Sequence, residues 1–430
     1  MSLTKASYSM IYGSVVNFLD HGADSTGNTN CYAAFISAID ATPIGGTLYI
    51  PEGKFKLTQR LTITKAINIA GEGKGSVIWL DVGAAEVGIE FGTSGAYTNG
   101  VTWRDFAILG AANSCLVSLL LLKVNTSVFD NVHIWAGTAA TGKAVWIRWA
   151  IENYYNFILS ANVAYPYAGS APYNGVFCSS NAGTGEVCNA NTFNLNISGP
   201  TNGLYINTAA ISDGGNNYIT GVYQGIGGYG INLVSCKAAV LQNCHVENAT
   251  NIGANYILLT SCNFVQLRGV SSFSFVIGFN DVQLVDSYAT YIDGLRCNRL
   301  SIDAGSLNTY ILGASYQGNT DAGLYDLGAL TNQFVTPKWS IQGANIGGTP
   351  ITGPDFAVDT NVGNATVTFG RLSGTAGDNT KVIFRNRIGV KTLGIDTGSI
   401  GLYANNAAAL AAGLVVGDMY RIGDTLAIVH

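Results

Sequence analysis

One short phrase recurs through the middle of the chain and limits what it can fold into. The phrase is an apolar-alternating strand, often with Asn beside its start, that ends in a small residue or glycine. It reads VTWRDFAILG at 101–110, SVFDNVHIWAG at 127–137, NTFNLNISG at 191–199 and NNYITGVYQG at 216–225. It continues as AVLQNCHVEN at 239–248, FVQLRGVSSF at 264–273, VQLVDSYATY at 282–291 and RLSIDAG at 299–305. With Ile197, Val222, Val246 and Val270 taken as inward residues, successive steps are 25, 24 and 24 residues, and later phrases shorten to about 17 or 18. Periods of roughly 20 to 25 without a helical signal indicate a β-solenoid, in which each coil buries its face only by stacking on the next. A propeller needs about 40 to 50 residues per blade. Coils spaced by the ordinary inter-strand distance of about 4.8 Å give a rod of about ten coils and roughly 45 to 50 Å.

Composition agrees with a rigid stack of strands. Of 430 residues 48% are hydrophobic, only 11% are charged and 54 are glycine, which argues against disorder. The net charge of −5 and the lack of a basic run argue against a nucleic-acid surface. The longest apolar run, Leu116 to Leu122, is interrupted by Ser118 and falls far short of the roughly 20 residues that cross a bilayer. No membrane insertion is therefore expected. The opening MSLTKASYSMI lacks signal-peptide architecture, so synthesis in a cytoplasm is expected. The eight cysteines show no CxxC and no Cys/His metal spacing, and neither metal nor cofactor is expected. Cys236, Cys244, Cys262 and Cys297 read as small apolar packing residues. Cys178 and Cys188 bracket SSNAGTGEV and could bridge a loop, although the missing secretion signal favours two reduced thiols.

Three stretches frame the repeat. Near the start, Thr29 or Asn30 can cap a short helix whose Tyr32, Phe35, Ile36 and Ile39 form one apolar face. Pro43 and Gly45-Gly46 stop it, and short strands follow up to Gly71-Glu72-Gly73. One greasy-faced helix before many short strands suggests a lid on the stack. Residues 161–190 hold Pro166, Pro172 and four glycines, and read as a projecting loop that carries Tyr165, Tyr167 and Tyr173. Past Thr336 the character changes again, with Pro337, Pro350 and Pro354 at the junction and strand-like runs at Ala365 to Phe369, Lys381 to Arg385 and Val390 to Ile395. The expected organisation is a leader and capping helix at 1–45, the solenoid at 46–335 and a separate β-rich domain at 336–430. Such a domain would also cover the open end of the solenoid, where bare strand edges recruit other chains.

The opening block also carries a resemblance. The pieces IPEGKF at 50–55 and IAGEG at 69–73, behind the helix and GGTLYIP, resemble the start of the pectate-lyase-like right-handed β-helix proteins. Asn28 to Cys31 stand where that family often has acidic residues. The closing stretch, GLYANNAAALAAGLVVGDMYRIGDTLAIVH, resembles the terminal segment of bacteriophage tail and tailspike proteins, and TKASYSMI resembles their short leaders. These resemblances imply an all-β chain: a right-handed parallel β-helix with an N-terminal capping helix and a C-terminal trimerisation domain. They further imply a homotrimer on the virion tail, among other tail proteins. Such a spike binds, and often depolymerises, a bacterial surface polysaccharide such as a capsule, exopolysaccharide or O-antigen. The scaffold alone does not choose among lyase, hydrolase, epimerase and binding protein.

Hydrolysis of a glycosidic bond needs two carboxyl groups, roughly 5 to 5.5 Å apart for retention or 6.5 to 9.5 Å for inversion. If Val246 points inward, His245 and Glu247 point outward from the same strand. The register then aligns Tyr223 with Glu247 one coil earlier, and a 17-residue step brings Asp286 in line with Gly269. Glu247 and Asp286 would flank a groove floored by Gly269, with Tyr223 and Arg268 as sugar contacts, favouring an inverting endo-glycosidase. Asp213 and Glu186 are reserve partners. The 22 tyrosines fit stacking on sugar faces, and Tyr165, Tyr167 and Tyr173 on the loop join the expected binding set. A lyase needs instead a base and a cation near a uronate carboxyl, and a spike that only binds needs neither.

Overall fold

A computed structural model describes residues 15–137, 141–160, 173–179, 187–208, 215–247, 256–273, 281–297, 300–303 and 305–311. It also describes the short pieces 314–316, 325–326, 333–334, 345–346, 349–350, 405–412, 419–422 and 425–428. The chain divides into two compact units, Met1–Asp359 and Thr360–His430. The boundary expected at 335/336 lies outside the described residues, as do the strand-like runs between 365 and 395. In the second unit the described elements are the helix Asn406–Ala411 and an antiparallel hairpin of Met419–Ile422 with Thr425–Ile428.

The first unit is a parallel β-solenoid. One long sheet stacks Thr102–Ala112, Val128–Gly137, Tyr154–Ser160, Thr192–Ser198, Tyr218–Gln224 and Val240–Glu247. From there each coil contributes two short strands to it: Gln266–Arg268 with Ser271–Phe273, then Tyr291–Asp293 with Leu295–Cys297. The opposing sheet stacks Val117–Asn125, Lys143–Ile151, Asn174–Ser179, Asn202–Asn207, Ile231–Val234, Ile257–Thr260, Val282–Val285 and Leu300–Ile302. The period of two decides which side chains go in. In Thr192–Ser198, Phe193, Leu195 and Ile197 are buried, while Asn194 and Asn196 face out.

The core is a set of columns, one residue per coil. Trp103, Phe129, Tyr155, Phe193, Ile219, Leu241, Leu267, Ile292 and Ile311 lie in successive register and are buried throughout. Phe129 stacks on Tyr155 at 5.4 Å between centroids, and Tyr155 on Phe193 at 5.2 Å. Each such residue contributes roughly 1.5 to 3 kcal/mol of apolar burial, and in-register stacking keeps the gaps between coils closed. At the corners the ladder is polar: Asn153, Asn191 and Asn217 are buried and pass hydrogen bonds from coil to coil. These are the asparagines that begin the repeated phrase.

The helix Tyr32–Ala41 buries Ala34, Phe35, Ala38 and Ile39, with Tyr32 and Ile36 partly buried beside them. Phe35 meets Phe18 at 4.0 Å, and Phe18 meets Phe55 at 4.9 Å. The helix begins one residue later than the expected caps, with Cys31 at the cap position. Asn30 still contributes, its Oδ1 accepting from the backbone N–H of Tyr32 and of Thr58, each at 3.2 Å.

Three expectations need correction. Within 161–190, residues Asn174–Ser179 are not loop but a rung of the second sheet, and Cys188–Asn189 pairs with Ala150–Ile151. Tyr173 leads into that rung, while Tyr165 and Tyr167 lie outside the described residues. The inward residue of Tyr218–Gln224 is Tyr223, not Val222, because an extra residue in Val240–Glu247 shifts the pairing from Ile219↔Leu241 to Gly221↔Cys244. Cys178 and Cys188 are buried free thiols.

Candidate functional site

The outer face of the long sheet between residues 218 and 316 is built from aligned columns. The first holds Tyr218, Val240, Gln266, Tyr291 and Tyr310, and the second Gln242, Arg268 and Asp293. A kink follows at Asn243, Gly269 and Gly294, which all adopt left-handed backbone with φ of 52°, 58° and 67°. Glycine suits the last two positions because a Cβ there is strained. Beyond the kink a third column holds Val222, His245, Ser271 and Arg296, and a fourth Gln224, Glu247 and Phe273.

Beside the first column lies a groove of about 540 Å³ lined by Phe264, Gln266, Arg268, Tyr288, Tyr291 and Tyr310, with Ala289 and Asn308 at its edge. Phe264 is 59% exposed, Tyr288 42% and Tyr310 40%, so the rings stand in solvent rather than in the core. Phe264 and Tyr288 pack edge to face at 6.2 Å. Phe264 also has a φ of 58°, a backbone position that a bulky side chain seldom takes. Such strain concentrates at functional sites. Flat apolar rings between amide, guanidinium and carboxylate groups match a sugar chain, whose C–H faces are apolar and whose rim is hydroxyl.

Across the kink, Glu247 is half-buried, with its Oε2 3.3 Å from Nε2 of His245. The other ring nitrogen of His245 lies 2.8 Å from Ser271 Oγ. His245 and Glu247 thus share the outer face, as the alternation about Val246 requires. Arg268 is exposed and lines the groove, in register with Asp293.

Two expected members of the site are elsewhere, and a third cannot be located. Tyr223 pairs with Val246 and is fully buried, its phenol pushed well above the usual range by that burial, so it cannot touch a sugar. Asp286 follows Val282–Val285 in the opposing sheet, where its N–H donates to Asp303 Oδ1 at 3.1 Å. The string Val-Gln-Leu occurs in both strand types, at 265–267 and 282–284, and the 17-residue step between them crosses from one sheet to the other. The true coil partner of Gln266 is Tyr291, 25 residues on. Asp213 lies outside the described residues. Sequence reading missed Phe264, Gln266, Tyr288, Tyr291 and Tyr310. The available signal was the recurrence of aromatics in one register column, Tyr218, Tyr291 and Tyr310, which emerges only once coil lengths are known. Among the described residues no cluster of His, Cys, Asp and Glu is placed to hold a metal ion.

Fold and face define a parallel β-solenoid with an aromatic groove on the outside of one sheet. The chain belongs to the rhamnogalacturonase A/epimerase, pectate lyase-like family, whose model matches residues 15–264. Among solved structures it is similar to ORF18 of Geobacillus virus E2, at 13% identity over 75% of this chain and 60% of that one, with a TM-score of 0.48. It is similar also to DFA-IIIase from Arthrobacter chlorophenolicus A6 without its lid, at 11% identity, 76% and 100% coverage and a TM-score of 0.49. The Dettilon tailspike protein shares 14% identity over 75% of this chain and 68% of that one, with a TM-score of 0.38. The chain thus spans 60% of the length of the Geobacillus virus protein. These likenesses concern the fold alone. No curated protein matches the chain.

Proposed function

We propose that this chain is the receptor-engaging spike of a bacteriophage tail, a homotrimer that binds a bacterial surface polysaccharide along the outer face of its long sheet. The reading rests on the groove of Phe264, Tyr288, Tyr291 and Tyr310 with Gln266 and Arg268 at its wall. Exposed aromatic area held on rigid strands is the expected design for an extended sugar chain, because little side-chain entropy is lost on binding. The resemblance of residues 401–430 to phage tail proteins supports the virion location and the trimer. The direct test is binding of the full chain to a panel of capsules, exopolysaccharides and O-antigens. Light scattering tests the trimer; a mass near 45.0 kDa, that of one chain, would remove it.

Cleavage of the bound chain is a second reading, favoured by Glu247 standing half-exposed on the same face with His245 beside it. Glu247 would act as acid or base of an endo-glycosidase. Asp293 lies two rungs on, roughly 9 to 10 Å along the stack, and several residues further along the strand. That exceeds the separation of a glycosidase pair. Oligosaccharide release with at least about a hundredfold loss in Glu247→Gln supports chain cleavage, and unchanged polymer length after long incubation removes it.

A further inference from the structure

Ser271 Oγ lies 2.8 Å from His245 Nδ1, and His245 Nε2 lies 3.3 Å from Glu247 Oε2. Three side chains of different chemistry are thereby joined in a line that sugar binding does not require. Their placement follows from the solenoid. His245 and Glu247 are two apart on one strand and share a face, while Ser271 faces His245 in register from the next coil. All three are half-buried and reachable from solvent.

The hydrogen bonds assign a role to each group. With a proton on Nε2 donated to the Glu247 carboxylate, Nδ1 carries the lone pair that accepts the Ser271 hydroxyl. This is the nucleophile, base and orienting acid of a serine hydrolase, recognised by geometry rather than by sequence order. Arg296 occupies the same column one coil beyond Ser271 and is exposed. It is the cation that the column offers to a developing oxyanion.

We propose that Ser271, His245 and Glu247 hydrolyse carboxylic esters on sugar hydroxyls, removing O-acyl groups from a polysaccharide held in the neighbouring groove. Ser271 Oγ attacks the acyl carbonyl while His245 takes its proton. The bond from the acyl carbon to the sugar oxygen breaks as His245 returns that proton to the sugar. Water, deprotonated by His245, then attacks the acyl-enzyme and releases the carboxylic acid, which restores the serine. One ester and one water give one acid and one alcohol, so no oxidant, metal or cofactor enters. The substrate rests on the glycan-binding reading above; the chemistry of the three side chains does not.

The test treats the full chain with diisopropyl fluorophosphate and maps the modified residue by mass spectrometry. It then measures acetate released from O-acetylated bacterial polysaccharides. Labelling at Ser271 and release of acetate are expected, with both at least about a hundredfold slower in His245→Ala, and with acetate release lost in Ser271→Ala. The reagent needs no sugar recognition, so absence of labelling at Ser271 overturns the proposal whether or not polysaccharide binds. Labelling at Ser271 with no acetate from any O-acetylated polymer overturns the assignment to sugar esters. Failure of the chain to bind any polysaccharide removes the receptor reading separately.

Discussion

Asn191 bridges two coils at once: its Nδ2 lies 3.2 Å from Oδ1 of Asn217, and its Oδ1 accepts from Nδ2 of Asn153 at 3.1 Å. The same amide also bonds the Ala150 carbonyl at 3.0 Å and the Asn153 N–H at 3.1 Å. All three asparagines are buried. Replacing Asn191 by Ala would orphan groups on both neighbours, each at about 1 to 3 kcal/mol. A loss of at least about 3 kcal/mol in denaturant unfolding is therefore expected. A loss under about 0.5 kcal/mol would mean that the ladder follows the fold rather than holding it.

The ladder and the solenoid were legible because they repeat. Asn153, Asn191 and Asn217 each open a phrase, and the alternation inside each phrase gave the buried face. Register was less legible. The extra residue in Val240–Glu247 changes no composition, yet it exchanges Val222 for Tyr223 in the core. The two sheets of one coil are buried by the same alternation, so Val282–Val285 reads like Gln266–Arg268 and carried Asp286 to the wrong face. The placing of His245, Glu247 and Arg268 survived because it depends on alternation within one strand. The groove did not, because its aromatic rings come from coil steps of 25 and 19 residues, Gln266 to Tyr291 to Tyr310.

Tyr288 and Tyr310 carry the most exposed tyrosine rings of the groove. Removing either ring should weaken polysaccharide binding at least about fivefold, roughly 1 kcal/mol, since aromatic anchors dominate such contacts. Isothermal titration of Tyr288→Ala and Tyr310→Ala, with circular dichroism to check the fold, reads this out. Equal affinities in wild type and both variants would place the sugar on another surface.

Tyr223 makes the opposite case. Its ring is fully buried, and its hydroxyl has no hydrogen-bond partner among the described residues. Tyr223→Phe removes a desolvated polar atom and keeps the packing, so stability should be unchanged or rise by up to about 1 kcal/mol. Tyr223→Ala leaves a ring-sized cavity and should cost about 3 to 5 kcal/mol. Polysaccharide affinity should not change in Tyr223→Phe. A clear loss of affinity in that variant, with stability intact, would return Tyr223 to the binding face.

Gly221 tests how closely coils approach. Its φ is +131°, and a Cβ there would strike the backbone carbonyl of Leu195 on the preceding coil. A backbone atom cannot turn aside as a flexible side chain can, so Gly221→Ala combines strain with a forced separation of two rungs. The expected loss is at least about 2 kcal/mol, visible as a lower midpoint in thermal unfolding. Gly22, with open space around its Cβ position, should lose only about 1 kcal/mol on the same substitution. Similar losses at both positions would mean that conformation alone, not coil spacing, sets the penalty.

The eight cysteines give the last measurement. All are free and buried, and burial pushes the thiol of Cys244 up from 9.0 to about 12. The thiolate is the reacting species, so a shift of that size lowers its fraction near neutral pH about a thousandfold. Native protein at pH 8 should therefore leave its thiols almost untouched by a disulfide reagent over minutes, whereas protein in concentrated guanidinium should titrate all eight at once. A fast fraction of one or more thiols in the native state would show that some coil opens locally. The identity of the labelled cysteine would then name the coil: Cys178 and Cys188 report on the stretch that interrupts the repeat, and Cys236, Cys244 and Cys262 on the coils beneath Glu247 and the groove.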